Sequence, residues 1–431
     1  MIKSIDFPKF IEKVYETHEM QRYSRSFNGK VRLGDDDGSW LISYKNGTPE
    51  TVEHVEGEVD SDIQFIATSD QWVKILEVTP PPFYNSASTA NLYHGVKYNM
   101  KDIVTRQYSL MLQEIIRKLR EFYNEIPEIE DPAPVEENIR FEDVTGHYVY
   151  LTIDGIEYRV YYEECGEGIP FLLQHTAGAN GQEYRYLMND PDFNKDFRFI
   201  SYDLPYHGKS LPPENYPWWT HQYKLTLDFM LKFQDQLVKA LKLERPAYMG
   251  CSMGGHLAPD LAYYRPDVYR ACVGIGASLK TADETGDRSG SLNTLMYNYD
   301  NPQISNGFVE SSNMAIVSLP PYSTPNSTHE VGWDYGNAYS GVFGGDLYYY
   351  SIDHNLSGKA QDIDTSKTKL ILMTGTYDPG TPPQTTKMLH EQVKGSEMIL
   401  MEGVGHYAML EAYPTFKEYF LPVAAQIKAF K

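Results

Sequence analysis

Gly250-Cys251-Ser252-Met253-Gly254-Gly255 lies between a short apolar run, Ala247 to Met249, and a helical-looking segment, His256 to Tyr264. The order reads as strand, sharp turn and helix. Such a turn holds its serine in a strained backbone conformation, and only residues without side chains at Gly250 and Gly254 let strand and helix approach closely enough. The Ser252 hydroxyl then stands at a helix N-terminus, where the backbone N–H of Met253 faces a developing oxyanion. No other serine in the chain has Gly both two residues before and two after it. Turns of this kind also serve purely structural roles, so the reading depends on whether the chain supplies a base and an acid.

A serine hydroxyl is a poor nucleophile at neutral pH and needs an imidazole to take its proton. The imidazole needs a carboxylate to fix its tautomer and stabilise its charge. Asp378 follows the apolar run Leu370 to Met373 in Gly375-Thr376-Tyr377-Asp378-Pro379. His406 follows a run ending at Met401, in Gly403-Val404-Gly405-His406. Both are loop residues at strand ends, in the chain order Ser, Asp, His. His175 and His207 are competing loop histidines. Alternation along the strand points Cys251 away from the Ser252 hydroxyl and into the core. No group of His, Cys and carboxylates has metal-ligand spacing and no phosphate loop is visible, so no cofactor is expected.

The chain has 431 residues, enough for two domains. Its net charge of −21 and the lack of a Lys/Arg cluster argue against nucleic-acid or anionic-membrane partners and favour neutral or weakly polar substrates. Three cysteines, Cys165, Cys251 and Cys272, read as thiols packed in a reducing compartment. Met1 to Gln21 lacks the continuous apolar core of a secretory signal and no run has the length of a membrane span, so a cytoplasmic location is expected.

The fold class expected is α/β, a mostly parallel sheet with helices on both faces and a cap insertion, preceded by a small α+β domain. In the small domain, residues 1–126, helices are expected over Phe7 to Tyr15, Ser69 to Leu76 and Val104 to Tyr123. Strands are expected over Lys30 to Leu33, Ser39 to Lys45 and Asp62 to Ala67. The order of Gly38-Ser39-Trp40 with Leu41 to Gly47, then Asp62-Ile63-Gln64-Phe65, Trp72 to Leu76, Gly95-Val96-Lys97-Tyr98 and an apolar helix resembles a sterol-carrier-protein-2-like domain. That resemblance implies a tunnel for an acyl chain or sterol; a packing or dimerising role is the alternative, and a homodimer stays open. Residues 127–145, rich in Glu and Pro, read as a linker.

From His147 onward a hairpin, Tyr148 to Ile153 and Tyr158 to Tyr162, opens a series of short buried strands alternating with helices over residues 146–276 and 367–431. Residues 277–366 break the alternation and are taken as a cap carrying Tyr297, Tyr299, Trp333, Tyr335, Tyr339 and Phe343. This part resembles an α/β-hydrolase-fold protein. Leu172-Leu173-Gln174-His175-Thr176-Ala177-Gly178 is similar to that family's loop after strand three, and Tyr202-Asp203-Leu204-Pro205-Tyr206-His207-Gly208-Lys209-Ser210 to its loop after strand four. The resemblance implies Ser252 as nucleophile, His406 as base, Asp378 as acid and the N–H groups of Met253 and Ala177 as oxyanion hole. Thr176 stands where many relatives carry Gly, and Thr adopts positive φ with difficulty, so the loop is expected to differ there. His175, Thr176, Trp218, Tyr377 and Tyr407 are expected beside the substrate, a small apolar or aromatic carbonyl compound. Ester, lactone or thioester hydrolysis through an acyl-enzyme leads; carbon-carbon bond hydrolysis of a diketone by the same residues and a non-catalytic lipid-binding module are the alternatives.

Overall fold

In the computed structural model the apolar alternation of the first hundred residues pairs into five strands, β1 (Gly29–Asp35), β2 (Gly38–Lys45), β3 (Thr48–Val55), β4 (Ile63–Ile66) and β5 (Lys97–Met100), in the order β3-β2-β1-β4-β5. Only β1 and β4 run parallel. The structure describes residues 1–101, 103–127, 139–281, 320, 323 and 325–431. Its chain divides into two units, one centred on Met1–Ile139 and one running on from Arg140. In the first, the helix Phe7–Val14, capped by the Asp6 carboxylate on Lys9 N–H, buries Phe7, Phe10, Ile11 and Val14, the four positions its spacing selects. The helix expected from Val104 is interrupted: it runs as Ile103–Arg106 and Ser109–Tyr123, because Tyr108 leaves helical geometry and packs on Phe27 at 4.8 Å. Strand β3, with Pro49 in it, escaped the sequence reading; it lies at the sheet edge, where a missing N–H is tolerated.

The second unit is built on one eight-stranded sheet. Strands β6 (Thr145–Ile153) and β7 (Ile156–Gly166) form the expected hairpin, turning at Asp154 and Gly155 with φ of 51° and 81°. Six further strands follow: β8 (Ile169–Gln174), β9 (Phe197–Tyr202), β10 (Ala247–Cys251), β11 (Ala271–Ile275), β12 (Lys369–Gly375) and β13 (Glu397–Met401). The order is β13-β12-β11-β10-β8-β9-β7-β6, parallel from β13 to β9. Alternate residues enter different cores. Leu172, Leu370 and Leu372 pack on one face, and Phe171, Leu173, Ile371 and Met373 on the other. Both faces are therefore covered, the second partly by the terminal helix Tyr413–Ala429.

Parts of the expected linker and cap, residues 128–138 and 282–319, lie outside the described residues, and Tyr297 and Tyr299 with them. The described remainder of 277–366 includes the helices Pro325–Tyr335 and Val342–Tyr348. Tyr335 and Phe343 are buried there, while Trp333 and Tyr339 stand exposed. Cys165, Cys251 and Cys272 are free, buried thiols. Among the described residues no helix is long and apolar enough to cross a membrane.

Candidate active site

Ser252 sits between β10 and the helix Met253–Tyr264 with φ 57° and ψ −113°, a conformation costing on the order of 1–3 kcal/mol for a residue with a side chain. The close approach that the flanking glycines permit is real: a Cβ at Gly250 would strike the backbone of Gly254, and one at Gly254 would strike Gln174. Hydrogen bonds on both sides fix the Ser252 backbone. Its N–H donates to the Ile275 carbonyl at 2.9 Å, and its carbonyl accepts from His256 Nδ1–H at 2.9 Å. His256, one turn along the helix, in turn takes the Ser278 hydroxyl on Nε2 at 2.8 Å, and burial holds its pKa well below the usual histidine range.

Asp378 and His406 leave the ends of the neighbouring strands β12 and β13. His406 Nδ1–H donates to Asp378 Oδ1 at 2.7 Å, which leaves Nε2 to carry the lone pair. The same carboxylate oxygen accepts from the N–H groups of Gly380 and Thr381, each at 2.9 Å. Cys251, directly before Ser252, points into the core and donates its thiol to the His406 carbonyl at 3.1 Å. Strand end and histidine loop are thereby tied together. Burial pushes that thiol's pKa well up, as expected of a packing group.

Around Ala177 every backbone donor but one is committed. Thr176 N–H donates to Glu183 Oε2 at 2.9 Å and Gly178 N–H to Asp346 Oδ2 at 2.7 Å. Among the described residues nothing accepts from the N–H of Ala177 or of Met253. Positive φ in this loop falls on Gly178, at 71°, and not on Thr176, so threonine is accommodated without strain. His175 is a brace: Nδ1–H donates to the Thr176 carbonyl and Nε2 accepts from Leu204 N–H. Burial and the neighbouring His207 hold its pKa far down. Asp203 accepts from Gly181 and Lys209 N–H, closing the loop after β9.

Further buried polar side chains line this sheet edge, and of these Glu183, Asp346 and Glu411 carry no sequence signal. His207 donates from both ring nitrogens, to the Pro205 carbonyl and to Asp346 Oδ2 at 2.7 Å, so the ring is an imidazolium. Burial opposes that charge, but Asp346 outweighs it and the pKa is raised. Glu183 accepts the Thr176 hydroxyl at 2.5 Å, and Glu411 accepts the N–H groups of Gly405 and Tyr407, one on each side of His406. Burial pushes both carboxyls up to about 8. Of the remaining side chains expected beside a substrate, Tyr407 is fully buried with its hydroxyl on Tyr335, and Tyr377 is buried with its N–H on Val404. Trp218 is half-buried and edge-on to Tyr339 at 5.3 Å.

Comparison with known proteins fits this arrangement. A family model described as alpha/beta hydrolase fold matches residues 169–413. The (E)-2-((N-methylformamido)methylene)succinate hydrolase of Acinetobacter baylyi is 24% identical over 260 residues, 58% of this chain and 89% of that protein. Among solved structures, a thermophilic esterase from Thermogutta terrifontis aligns with a TM-score of 0.56 at 15% identity, covering 65% of this chain and 99% of its own. An esterase from Exiguobacterium antarcticum aligns at 0.53 with 20% identity, over 64% and 98%. At such identities the structural likeness speaks for the fold. With the family model spanning more than half of its length and an eight-stranded sheet bearing Ser252, Asp378 and His406 on the loops that follow β10, β12 and β13, the chain belongs to the alpha/beta hydrolase fold family.

Proposed function

We propose that the protein is a serine hydrolase that cleaves an ester, lactone or thioester with an apolar or aromatic acyl part through an acyl-enzyme on Ser252. One observation carries the reading: a strained Ser252 shares a sheet edge with a buried His406–Asp378 pair and with two N–H groups, of Met253 and Ala177, that nothing in the described protein occupies. Ser252 Oγ attacks the carbonyl carbon while His406 Nε2 takes its proton. The carbonyl oxygen becomes an oxyanion between the two N–H groups, each well-aimed donor lowering the barrier by about 3 kcal/mol. The tetrahedral carbon then expels the alcohol or thiol, which leaves with the proton from His406. Water, deprotonated by the same ring, releases the acid and restores Ser252. Asp378 keeps the imidazole in the tautomer this cycle needs and stabilises its charged form.

The Acinetobacter relative is named for a formamido-bearing succinate, so cleavage of a C–N acyl bond belongs beside esters and lactones in the substrate panel. Initial rates on aryl esters, lactones, N-acyl compounds and β-diketones, with Ser252→Ala as blank, test the reading. Turnover of an acyl substrate by the wild type alone is expected. Exclusive turnover of diketones would replace it with carbon-carbon bond hydrolysis. For the N-terminal unit, the sheet backed by apolar helices supports the sterol-carrier-like assignment, and lipid recovered by solvent extraction of the purified protein is its test.

A further inference from the structure

Two loops of the proposed catalytic machinery are joined by hydroxyl groups that neither the strand pattern nor the motif spacing announces. Tyr407, next to His406, donates its hydroxyl to the Tyr335 oxygen at 2.9 Å. The Tyr335 oxygen lies 2.9 Å from Thr176 Oγ1, and Thr176 Oγ1 lies 2.5 Å from Glu183 Oε1. Tyr335, Tyr407, Thr176 and Glu183 are each at most 1% exposed. The tyrosine rings meet edge to face, 6.0 Å apart at 75°, which brings their hydroxyl ends together and leaves their apolar bodies in the core. Each end of the chain is anchored to backbone: Glu183 takes Thr176 N–H, and Glu411 takes the N–H groups flanking His406.

We propose that Tyr335 and Thr176 are positioning residues that lock the loop of Ala177 to the loop of His406, so that oxyanion donor and base are aimed by one hydrogen-bonded unit. The inference rests on the serine-hydrolase reading and adds to it a residue from the segment following β11. It also accounts for threonine at position 176. Glycine there would leave the Tyr335 hydroxyl without an acceptor and Glu183 Oε1 without a donor, and an unsatisfied group in such a place costs on the order of 1–3 kcal/mol. A threonine satisfies both at once, accepting from one neighbour and donating to the other. Because the four oxygens form a single chain, loss of any link relaxes both loops together.

The test compares Tyr335→Phe, Thr176→Val, Thr176→Ser and the double variant Tyr335→Phe/Thr176→Val on an aryl ester, alongside the second-order rate of fluorophosphonate addition to Ser252. Misaiming of reacting groups predicts a fall in kcat of about tenfold for Tyr335→Phe and for Thr176→Val, with KM within about twofold. The addition rate falls with kcat. Thr176→Ser, which keeps the hydroxyl, restores near-wild-type rates, and the double variant is no slower than the slower single one. Thr176→Val and Thr176→Ser alone carry the comparison if the tyrosine variant does not fold. Wild-type kcat in Thr176→Val, equal loss in Thr176→Ser, or fully multiplicative losses in the double variant would each overturn the proposal. A wild-type protein that takes no adduct at Ser252 overturns the hydrolase reading itself and this inference with it.

Discussion

In the N-terminal unit the core is apolar, Phe7, Phe10 and Ile11 of the first helix and Leu112, Ile115 and Leu119 of the helix Ser109–Tyr123 packing with Ile42, Phe65 and Trp72, and the buried charged side chains are Arg32, Asp35, Glu114 and Arg120. Its Arg117 joins Glu19, Glu114 and Glu121 at the margin. At the strand ends of the second unit, by contrast, Glu183, Asp203, Asp346, Asp378 and Glu411 are all buried and hydrogen-bonded to the loops that carry Ala177 or His406. Burying a carboxyl is expensive unless it is hydrogen-bonded, and each of these is bonded to backbone N–H groups. The contrast teaches where geometry, and not stability alone, constrains the chain. A core can be filled by any well-shaped apolar set, whereas aiming an N–H or an imidazole requires polar partners that a core otherwise excludes.

The comparison breaks most sharply at Ser252 and His406. Ser252→Ala and His406→Ala are each expected to lower kcat by a factor of about 10⁴ or more while leaving the unfolding midpoint within a few degrees, read from steady-state kinetics and thermal scans. Next in size is Asp346→Asn, which strips the partner from a buried imidazolium. A loss of about 3–5 kcal/mol is expected in urea unfolding. Because the pKa of His207 is raised in the folded protein, the pair's contribution is fully present below the unfolded histidine value of about 6.5 and fades as pH rises through the folded value, so the deficit is expected to shrink in alkali.

A matched cut in the apolar unit sharpens the contrast from the other side. Ile42→Ala is expected to destabilise its own unit by about 2–5 kcal/mol without changing kcat of the folded protein. The smallest effect is a slope. Glu183 keeps its proton in the folded state up to about 8 and releases it near 4.5 when unfolded, so stability falls as pH climbs between those values. Glu183→Gln is expected to remove up to about 1.4 kcal/mol per pH unit of that fall, and Glu411 preserves the rest. Urea unfolding of both proteins at several pH values between 5 and 8 checks it.

What the sequence made legible divides along the same line. The parallel strands from β8 to β13 announce themselves as short apolar runs, and the flanking glycines of Ser252 and His406 mark loops at their ends. Strand β3 was hidden by Pro49 and by an edge position that demands little alternation. Residues such as Tyr335, Glu183 and Asp346 were illegible for a different reason. Asp346 acts on Gly178 and Tyr335 on Thr176, far away in sequence, while Glu183 reaches back to Thr176 within one irregular loop, and no local period or spacing encodes these pairings. The unusual Thr176 was visible as a departure from the family pattern. Its partners became evident only once the fold brought them together.

The most direct measurement is the intact mass of the protein after treatment with a serine-directed fluorophosphonate, followed by peptide mapping. The account predicts one adduct, on Ser252, that is absent from Ser252→Ala. No adduct, or an adduct that persists in Ser252→Ala, would contradict the claim that the strained serine, the His406–Asp378 pair and the two open N–H groups make an activated nucleophile.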